Sequence, residues 1–465
     1  MSSITTRPMV DDRREIRGWA MYDWANSAFS TTVGTVFLGP YVTELARAAA
    51  GPDGMARFLG LPVAPASFLP FAISLSVLLQ VFFLPMLGAI ADYSHIRKQM
   101  LILFATMGAS ATVAMFFVTA PVWWLGGVLF VFANLCFGAS IVFYNAYLPD
   151  IASPEQRDRV SSFGWAMGYL GGGLLLLFNL IFFQFHDALG ISSGLAVRIN
   201  LASAGLWWLG FSMFTWRRLR SRQPQRELPS DTGYFSVGVR QLRQTLRDLR
   251  HFPQTVQFLL AYLIYNDGVQ TVIAISAIFG AEELGLDVGT LSMVILVVQF
   301  VAFFGALFFG WLAGRTGTKR ALVISLIIWS VVVIYAYGFL YDAAGFFILG
   351  VAVGVVLGGS QALSRSLFSQ MIPVGREAEY FSLYEISERG TSWLGPFVFA
   401  LVNQFTGSLR LAILSVILFF VVGLVLLVLT NTAEAIAEAR RAELPPDLPV
   451  PVCRKSFVRS LMCIG

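Results

Sequence analysis

The chain has 465 residues, of which 57% are hydrophobic and 13% charged, and its formal net charge is +5. Because soluble domains carry about 25% charged residues, this composition indicates an integral membrane protein. The three cysteines and three histidines are too few and too scattered for a disulfide framework or a metal centre, and the sequence holds no nucleotide-binding loop, so we expect no metal and no cofactor.

Hydrophobic segments long enough to cross a bilayer, about 20 residues each, occur twelve times in the chain. The first six are 18–46, 67–92, 98–119, 122–149, 160–185 and 195–216, and the second six are 253–282, 288–313, 319–341, 344–373, 378–405 and 408–431. They divide the chain into a tail (1–17), an N-terminal half (18–216), a linker (217–252), a C-terminal half (253–431) and a second tail (432–465). We therefore predict an all-α integral membrane protein with twelve transmembrane helices.

The basic residues predict how these helices are oriented. When the loops are assigned alternately to two sides, 26 of the 32 Lys and Arg residues fall on one side and four on the other. Cytoplasmic loops are enriched in Lys and Arg, so both termini and the linker are predicted to be cytoplasmic. Topology thus explains the positive charge, and we expect no nucleic-acid partner. Apolar residues at helical spacing among arginines predict a basic amphipathic helix at 239–250.

The two halves repeat one another. Residues 88–98 match residues 310–320 at a constant offset of 222, and Pro149 matches Pro373 at an offset of 224. Two parallel six-helix repeats joined by a cytoplasmic linker are the plan of major facilitator transporters, whose substrate site lies near mid-membrane between the halves. The first copy carries Asp92 where the second has a glycine, and we predict that this acid helps to hold one conformation closed.

Polar side chains lie inside the predicted first and seventh spans. Asp23 and Asn26 share a helical face in the first span, and Asn266, Asp267 and Gln270 lie near the middle of the seventh. A charge at the centre of a bilayer helix costs roughly 2.5–3.5 kcal/mol, so such groups are expected to face the bundle interior. Asp23 is either a hydrated carboxylate at the cytoplasmic edge or part of the cytoplasmic gate or the cavity, whereas the depth of Asp267 favours a functional role.

The fourth, tenth and eleventh spans hold a second group of polar residues, which are Tyr144, Asn145, Gln361, Arg365, Glu385, Glu388 and Arg389. Gln361 and Arg365 are four residues apart and share a helical face, and Glu385 and Arg389 form an i,i+4 pair. One interpretation is that these charges bind a solute inside a water-accessible cavity. The other is that they form a structural ion pair that locks the tenth and eleventh helices together.

Five strings in the chain are specific enough to indicate a family. They are GWAMYDWANSAF (18–29), YNAYLP (144–149), YNDGVQT (265–271), QALSRS (361–366) and GREAE continuing to YEISERGTSW (375–393). With these strings the chain resembles the vacuole-effluxer family of the major facilitator superfamily over residues 16–431. The fungal members are autophagy-related exporters of amino acids from the vacuole, and the bacterial branch, which this chain resembles in length, has no assigned substrate. The resemblance to the bacterial branch implies a location in the inner (plasma) membrane.

From these features we expect a secondary active transporter, not an enzyme, that moves a small polar solute by alternating access. The resemblance favours an amino acid or a short peptide, whose carboxylate Arg365 or Arg389 would bind and whose ammonium Asp267 or Glu385 would bind. The substrate-binding candidates are Asn26, Tyr144, Asn145, Tyr265, Asn266, Asp267, Gln270, Gln361, Arg365, Glu385 and Arg389. The gating or coupling candidates are Asp23, Asp92, Asp267, Glu385 and Glu388.

Several alternatives stay open at this point. The solute could belong to another class, such as a sugar, a drug or an organic ion, and the protein could instead be a lipid scramblase or a receptor that transports nothing. The driving force is facilitated diffusion, ion exchange or a proton relay through the intramembrane acids. We expect a monomer that contacts membrane lipids, its solute and, under proton coupling, protons.

Overall fold

The computed structural model describes residues 10–92, 96–221, 247, 249–389 and 394–441. A few side chains inside these ranges, including those of Asp92 and Arg389, lie outside the description. We refer to residues 10–221 as the N part and to residues 247–441 as the C part. The amphipathic helix predicted at 239–250 falls almost entirely outside the described residues, which there show only a 3-10 turn at Leu249–His251.

The N part consists of helices and one small hairpin. In chain order its elements are α1 (Arg13–Ala28), a π-helix (Phe29–Phe37), α2 (Leu38–Ala48), β1 (Ala56–Phe58), β2 (Leu61–Val63), α3 (Phe68–Asp92), α4 (Arg97–Ala114), α5 (Leu125–Asn145), α6 (Leu148–Ile151), α7 (Arg157–Gln184) and α8 (Ser193–Arg218). Strands β1 and β2 pair antiparallel, with Phe58 opposite Leu61. This short hairpin was not predicted, and the fold remains of the predicted all-α class.

The described residues of the C part form helices joined by short loops and turns. Its helices are α9 (Pro253–Glu282), α10 (Val288–Thr316), α11 (Thr318–Gly338), α12 (Ala343–Gln370), α13 (Glu377–Arg389), α14 (Leu394–Thr406), α15 (Leu409–Ser415), α16 (Ile417–Leu429) and α17 (Thr432–Arg441). Side chains cap several of the helix starts; for example, Asp287 accepts a hydrogen bond from the Thr290 N–H at 3.0 Å and Asp342 accepts one from the Gly345 N–H at 2.7 Å. Helix α17 occupies the beginning of the predicted second tail.

Nine helices in the described residues are long and apolar enough to cross a membrane. They coincide with nine of the twelve predicted spans and leave 18–46, 195–216 and 378–405. Helices are present at these three places too, as α1 with the π-helix and α2, as α8, and as α13 with α14. The prediction of a helical membrane protein is confirmed.

The π-helix interrupts the first predicted span. Its sequence, FSTTVGTVF, is rich in β-branched residues, which fit a regular α-helix less well than straight-chain residues. Hydroxyl groups also bond its backbone, since the Thr35 Oγ1 donates to the Ser30 carbonyl five residues earlier at 2.9 Å. Ser30, Gly34 and Thr35 are exposed. Such segments occur often at functional sites of helices.

Glycines allow neighbouring helices to approach closely within each part. A Cβ at Gly171 of α7 would lie 2.4 Å from the Trp24 carbonyl oxygen of α1, and a Cβ at Gly358 of α12 would lie 2.3 Å from the Ala302 carbonyl oxygen of α10. Both distances are too short for any side chain, so the backbones meet because these positions are glycine.

The repeated glycines Gly88 and Gly310 serve the same purpose between the two parts. A Cβ at Gly88 of α3 would lie 2.4 Å from the Ala378 carbonyl oxygen of α13, and a Cβ at Gly310 of α10 would lie 2.5 Å from the Ser162 Oγ of α7. Each copy of the repeat therefore places a glycine where one part presses against the other.

Charged side chains reinforce this contact at one end of the bundle. Arg97 of the N part lies 2.9 Å from the Asp150 carboxylate and 3.3 Å from the Glu377 carboxylate of the C part. The Arg157 Nη1 donates to the Ser369 carbonyl of the C part at 2.7 Å. We call the end of the bundle at which Arg97 and Arg157 lie the basic end. The opposite end, at which Asp187 and Arg410 lie, is called the far end.

Candidate functional site

Arg365 of α12 is the centre of the polar contacts between the two parts. It lies five residues before the end of its helix and is 2% exposed. Among the described residues, all the hydrogen-bond partners of its side chain come from the N part. The Nη1 atom lies 3.2 Å from the Asp23 Oδ2 and 3.3 Å from the Asn145 Oδ1, while Nε donates to the Ser161 Oγ at 2.9 Å and Nη2 to the Ser161 carbonyl at 2.8 Å. These contacts satisfy a charge that would otherwise be costly to bury.

Aromatic rings of the N part enclose the same guanidinium group. Its central carbon lies 4.9 Å from the ring centre of Trp19, 5.6 Å from that of Tyr144 and 5.3 Å from that of Trp165. These distances are those of cation–π contacts, which are strongest when shielded from water. Trp19 and Tyr144 also stack on each other with ring centres 4.4 Å apart. We call Trp19, Tyr144, Trp165 and Asp23 together the cage.

Gly164 provides the space in which the cage closes. A Cβ at this position of α7 would lie 2.8 Å from the Asp23 Oδ2, 2.8 Å from the Trp19 ring and 2.9 Å from the Arg365 Nη2. Even a methyl group there would disturb the carboxylate, a ring and the guanidinium at once. The absence of a side chain at Gly164 is thus part of the site.

Asp23 belongs to the cage and is not a hydrated carboxylate at the edge of the membrane. It is 9% exposed, its Oδ2 accepts a hydrogen bond from the Tyr144 hydroxyl at 2.7 Å, and Arg365 is the cation that contacts it. The interpretation of Asp23 as a solvated helix cap is therefore wrong. Asn26, one turn later on α1, is also buried, and its amide nitrogen has no hydrogen-bond partner among the described residues.

Asn145 connects the cage to an acid of the C part. Its side-chain oxygen accepts from Arg365, and its Nδ2 donates to the Glu385 Oε1 at 2.9 Å. Arg365 and Glu385 are thus linked through an amide of the other part, and the ion pair that Arg365 makes is with Asp23. The sequence-based interpretation that Arg365 pairs within the tenth and eleventh helices is wrong for this conformation, because a residue of the N part stands between the two charges.

A second polar cluster lies inside the C part, around the predicted seventh span. The Asp267 Oδ2 accepts from the Gly395 N–H at 2.8 Å, while its Oδ1 has no hydrogen-bond partner among the described residues. The Asn266 Nδ2 donates to the Glu388 carbonyl at 2.8 Å. The Tyr265 hydroxyl and the Oγ of Ser364, the residue directly before Arg365 on α12, are 2.5 Å apart. Asp267 is therefore a buried carboxyl group that is only half satisfied.

The remaining predicted site residues are placed as follows. Gln361 accepts a hydrogen bond from the Tyr169 hydroxyl of the N part, so it joins the contacts between the parts. Gln270 is partly exposed on α9. The side chains of Asp92 and Arg389 lie outside the described residues, so their predicted roles stay predictions. The part of the chain that is described holds no group of three or more metal-ligating side chains.

The structure adds Trp19, Trp165, Ser161 and Gly164 to the residues expected from the sequence. Trp19 falls within one of the strings that indicate the family, but the sequence did not show that its ring contacts Arg365. Ser161 is the counterpart of Glu385 at the repeat offset of 224, and both lie close to Arg365. Comparing the halves position by position is thus the signal that could have identified Ser161.

Comparison with known proteins identifies the family. Residues 11–440 match the family described as "Vacuole effluxer Atg22 like". The chain belongs to this family. It is 29% identical over 416 residues to the "Uncharacterized MFS-type transporter YxiO" of Bacillus subtilis (strain 168), covering 89% of this chain and 94% of that protein. It is 26% identical over 558 residues to autophagy-related protein 22-1 of Penicillium rubens, covering 94% of this chain and 93% of that protein.

Solved structures show the fold of this family member. The transporter FucP in its outward conformation superposes with a TM-score of 0.64 at 14% identity, covering 90% of this chain and 100% of that chain. A bacterial homologue of the iron transporter ferroportin gives a TM-score of 0.64 at 15% identity, with coverages of 90% and 98%. The protein is thus a multi-pass membrane transporter of the major facilitator type and not an enzyme.

Proposed function

We propose that the protein is a secondary active transporter that moves a small polar solute, an amino acid or a short peptide, across the inner membrane by alternating access. The observation that carries this proposal is the insertion of Arg365 of the C part into a carboxylate site of the N part. In major facilitator transporters the two repeats rock against each other around a central site. A buried ion pair between the repeats must break in each cycle, so it has the properties of a gate.

We also propose that the chain crosses the membrane twelve times. The twelve spans would comprise the nine apolar helices together with α1 through α2, α8, and α13 with α14. The N part and the C part would be the two six-helix halves. Because Lys and Arg are enriched in cytoplasmic loops, the basic end would face the cytoplasm, as would both termini. The conformation described here would then be the one closed toward the cytoplasm.

Each charge of the gate needs a partner in both conformations, because a buried charge that loses its counterion costs about 3–5 kcal/mol. Arg365 has a second partner within its own part, since Asn145 now stands between it and Glu385. Opening of the basic end would withdraw Asn145 together with the N part. Arg365 and Glu385 would then meet directly, and the ion pair expected from the sequence would belong to the open conformation.

Asp267 is the acid that we assign to proton coupling, with Glu385 as the second. Asp267 is 1% exposed, and one of its oxygens has no hydrogen-bond partner among the described residues. Buried carboxyl groups of this kind form the proton relays of pumps and transporters. The family description as an effluxer supports export as the direction, with protons moving inward in exchange.

Reconstitution in proteoliposomes tests this function. We expect uphill movement of one or more amino acids or dipeptides under an imposed pH gradient. Asp267→Asn should abolish uphill transport but keep exchange between equal pools, because exchange needs solute binding but no net proton movement. The matched control is Asp287→Asn, which changes an exposed helix-capping carboxylate at the far end.

Four outcomes would contradict parts of the proposal. Loss of exchange together with uphill transport in Asp267→Asn would remove that residue from the coupling mechanism. Movement of a sugar, drug or organic ion in place of every amino acid and dipeptide tested would replace the solute class. Flipping of labelled lipids by the reconstituted protein, without solute transport, would indicate a scramblase, and the absence of both activities would favour a receptor.

A further inference from the structure

The cage around Arg365 is built entirely from the N part. Trp19 and Asp23 lie on α1, Tyr144 lies on α5 and Trp165 lies on α7. Their mutual contacts do not need the C part, since Trp19 stacks on Tyr144 and the Tyr144 hydroxyl bonds Asp23. The guanidinium group that the cage encloses comes from Arg365 of the C part. The cage is thus a preformed site that the C part fills with a guanidinium group.

Opening of the basic end would empty this site. Arg365 would keep Glu385, which lies on its own part and is already linked to it through Asn145. Asp23 would lose Arg365, which is the cation that contacts it in the described structure. A buried carboxylate without a counterion is costly, and the rings beside it attract cations. The emptied cage would therefore need another cation.

We propose that the cage is the binding site for the ammonium or guanidinium group of the transported solute, and that Arg365 occupies it as an internal substitute while the basic end is closed. This inference rests on the proposed function, because it names the part of the solute that the N part recognises. It differs from the expectation drawn from the sequence, in which Asp267 or Glu385 binds the ammonium and Arg365 or Arg389 binds the carboxylate.

The chemistry of the cage selects for a cation. Asp23 attracts positive charge, and the faces of three aromatic rings carry the negative part of their quadrupole toward the guanidinium. An anion in the same place would be repelled by both. Ser161 adds an acceptor, because its carbonyl oxygen accepts a hydrogen bond from the Arg365 Nη2 at 2.8 Å. A primary ammonium group can use the same carboxylate, carbonyl and ring faces.

Competition for one site would link solute binding to the gate. A solute cation in the cage and Arg365 in the cage exclude each other, so binding of the solute disfavours the conformation closed at the basic end. Closure after solute release would be driven by the return of Arg365. This is a differential interaction with the two conformations, which any ligand must have in order to shift their populations.

The experiment measures how fast a reporter cysteine reacts with a soluble maleimide in detergent. The reporter is Ser369→Cys in a variant without the three native cysteines, because Ser369 is 1% exposed and lies at the basic end. Arg365→Ala should empty the cage and raise the labelling rate several-fold. Guanidinium or methylguanidinium chloride at millimolar concentration should slow labelling back toward the parent rate, whereas sodium chloride and urea should not.

Further variants decide whether the added cation acts in the cage. Guanidinium should give no protection when Asp23→Asn is combined with Arg365→Ala, and weaker protection when Trp165→Leu is combined with it. Arg410→Ala is the matched control, because Arg410 also contacts a carboxylate at 2.7 Å and an aromatic ring at 4.6 Å, but at the far end. Labelling of the Ser369→Cys reporter in the Arg410→Ala variant should not respond to guanidinium.

A second arm uses the parent protein, in case Arg365→Ala does not fold. Agmatine and L-lysine should accelerate labelling of the Ser369→Cys reporter because they displace Arg365, and glutarate should not. Equal protection with and without Asp23, or acceleration by glutarate but not by agmatine, would overturn the inference. If proteoliposomes transport an amino acid while neither arm responds to cations, the cage assignment fails and the proposed transport function stands.

Discussion

Gly164→Ala is the substitution that most directly perturbs the gate without removing a charge. The added methyl group would lie 2.8 Å from the Asp23 Oδ2, 2.8 Å from the Trp19 ring and 2.9 Å from the Arg365 Nη2. Overpacking of a buried site costs typically about 1–3 kcal/mol. If this cost falls on the closed conformation alone, the ratio of open to closed molecules rises roughly 5- to 150-fold.

Labelling of the Ser369→Cys reporter measures this shift. Replacement of a helical glycine by alanine also stabilises the helix by up to about 1 kcal/mol, so a control must carry the same gain. Gly210→Ala in the middle of α8 serves, because its Cβ would meet no atom within 4 Å. We expect faster labelling in Gly164→Ala than in Gly210→Ala. Equal labelling rates, at equal melting temperatures, would refute the argument that the cage holds the basic end closed.

Two further predictions concern the contacts around the gate. Gly88→Ala should also open the basic end, because its Cβ would lie 2.4 Å from the rigid Ala378 backbone oxygen, and reporter labelling no faster than in Gly210→Ala would contradict this. Lys319→Met should lower the melting temperature by about 1 °C or less, because the Nζ bonds the Val428 and Thr430 carbonyls at the end of α16 at 2.9 and 2.7 Å. Charge at a helix C-terminus contributes about 0.3–1 kcal/mol, and the unfolding entropy of so long a chain is about 1 kcal/mol per degree. The neighbouring exposed Arg320→Met is the control for charge, and an equal loss there would disprove the capping role.

Helix positions and the residues of the site could be predicted from the sequence to a large extent. A long apolar segment forms a helix in a bilayer, because a helix satisfies its backbone hydrogen bonds without water. Charges such as Arg365 and Asp23 are easily recognised within such segments. Their depth in the membrane also follows from counting residues. The hairpin at 56–63 and the π-helix could not be predicted, because both depend on local backbone choices within short segments.

Pairing of the charges is what the sequence could not supply. Glu385 is 20 residues from Arg365 and on the neighbouring segment, whereas Asp23 is 342 residues away in the other part. Distance along the chain favoured Glu385, but the partner depends on the conformation, and here Asn145 separates Arg365 from Glu385. In a transporter that alternates between two conformations, a charged residue has a different partner in each conformation. The sequence does not show which ion pair forms in which conformation.

Pulsed electron resonance distances between spin labels test the central claim most directly. One pair of labels, at Glu155 and Arg320, spans the two parts at the basic end, and a second pair, at Asp187 and Gln404, spans them at the far end; all four residues are exposed. In the Arg365→Gln variant, alternating access gated by Arg365 predicts a longer distance at the basic end together with a shorter distance at the far end. Unchanged distances, or changes of the same sign at both ends, would contradict it.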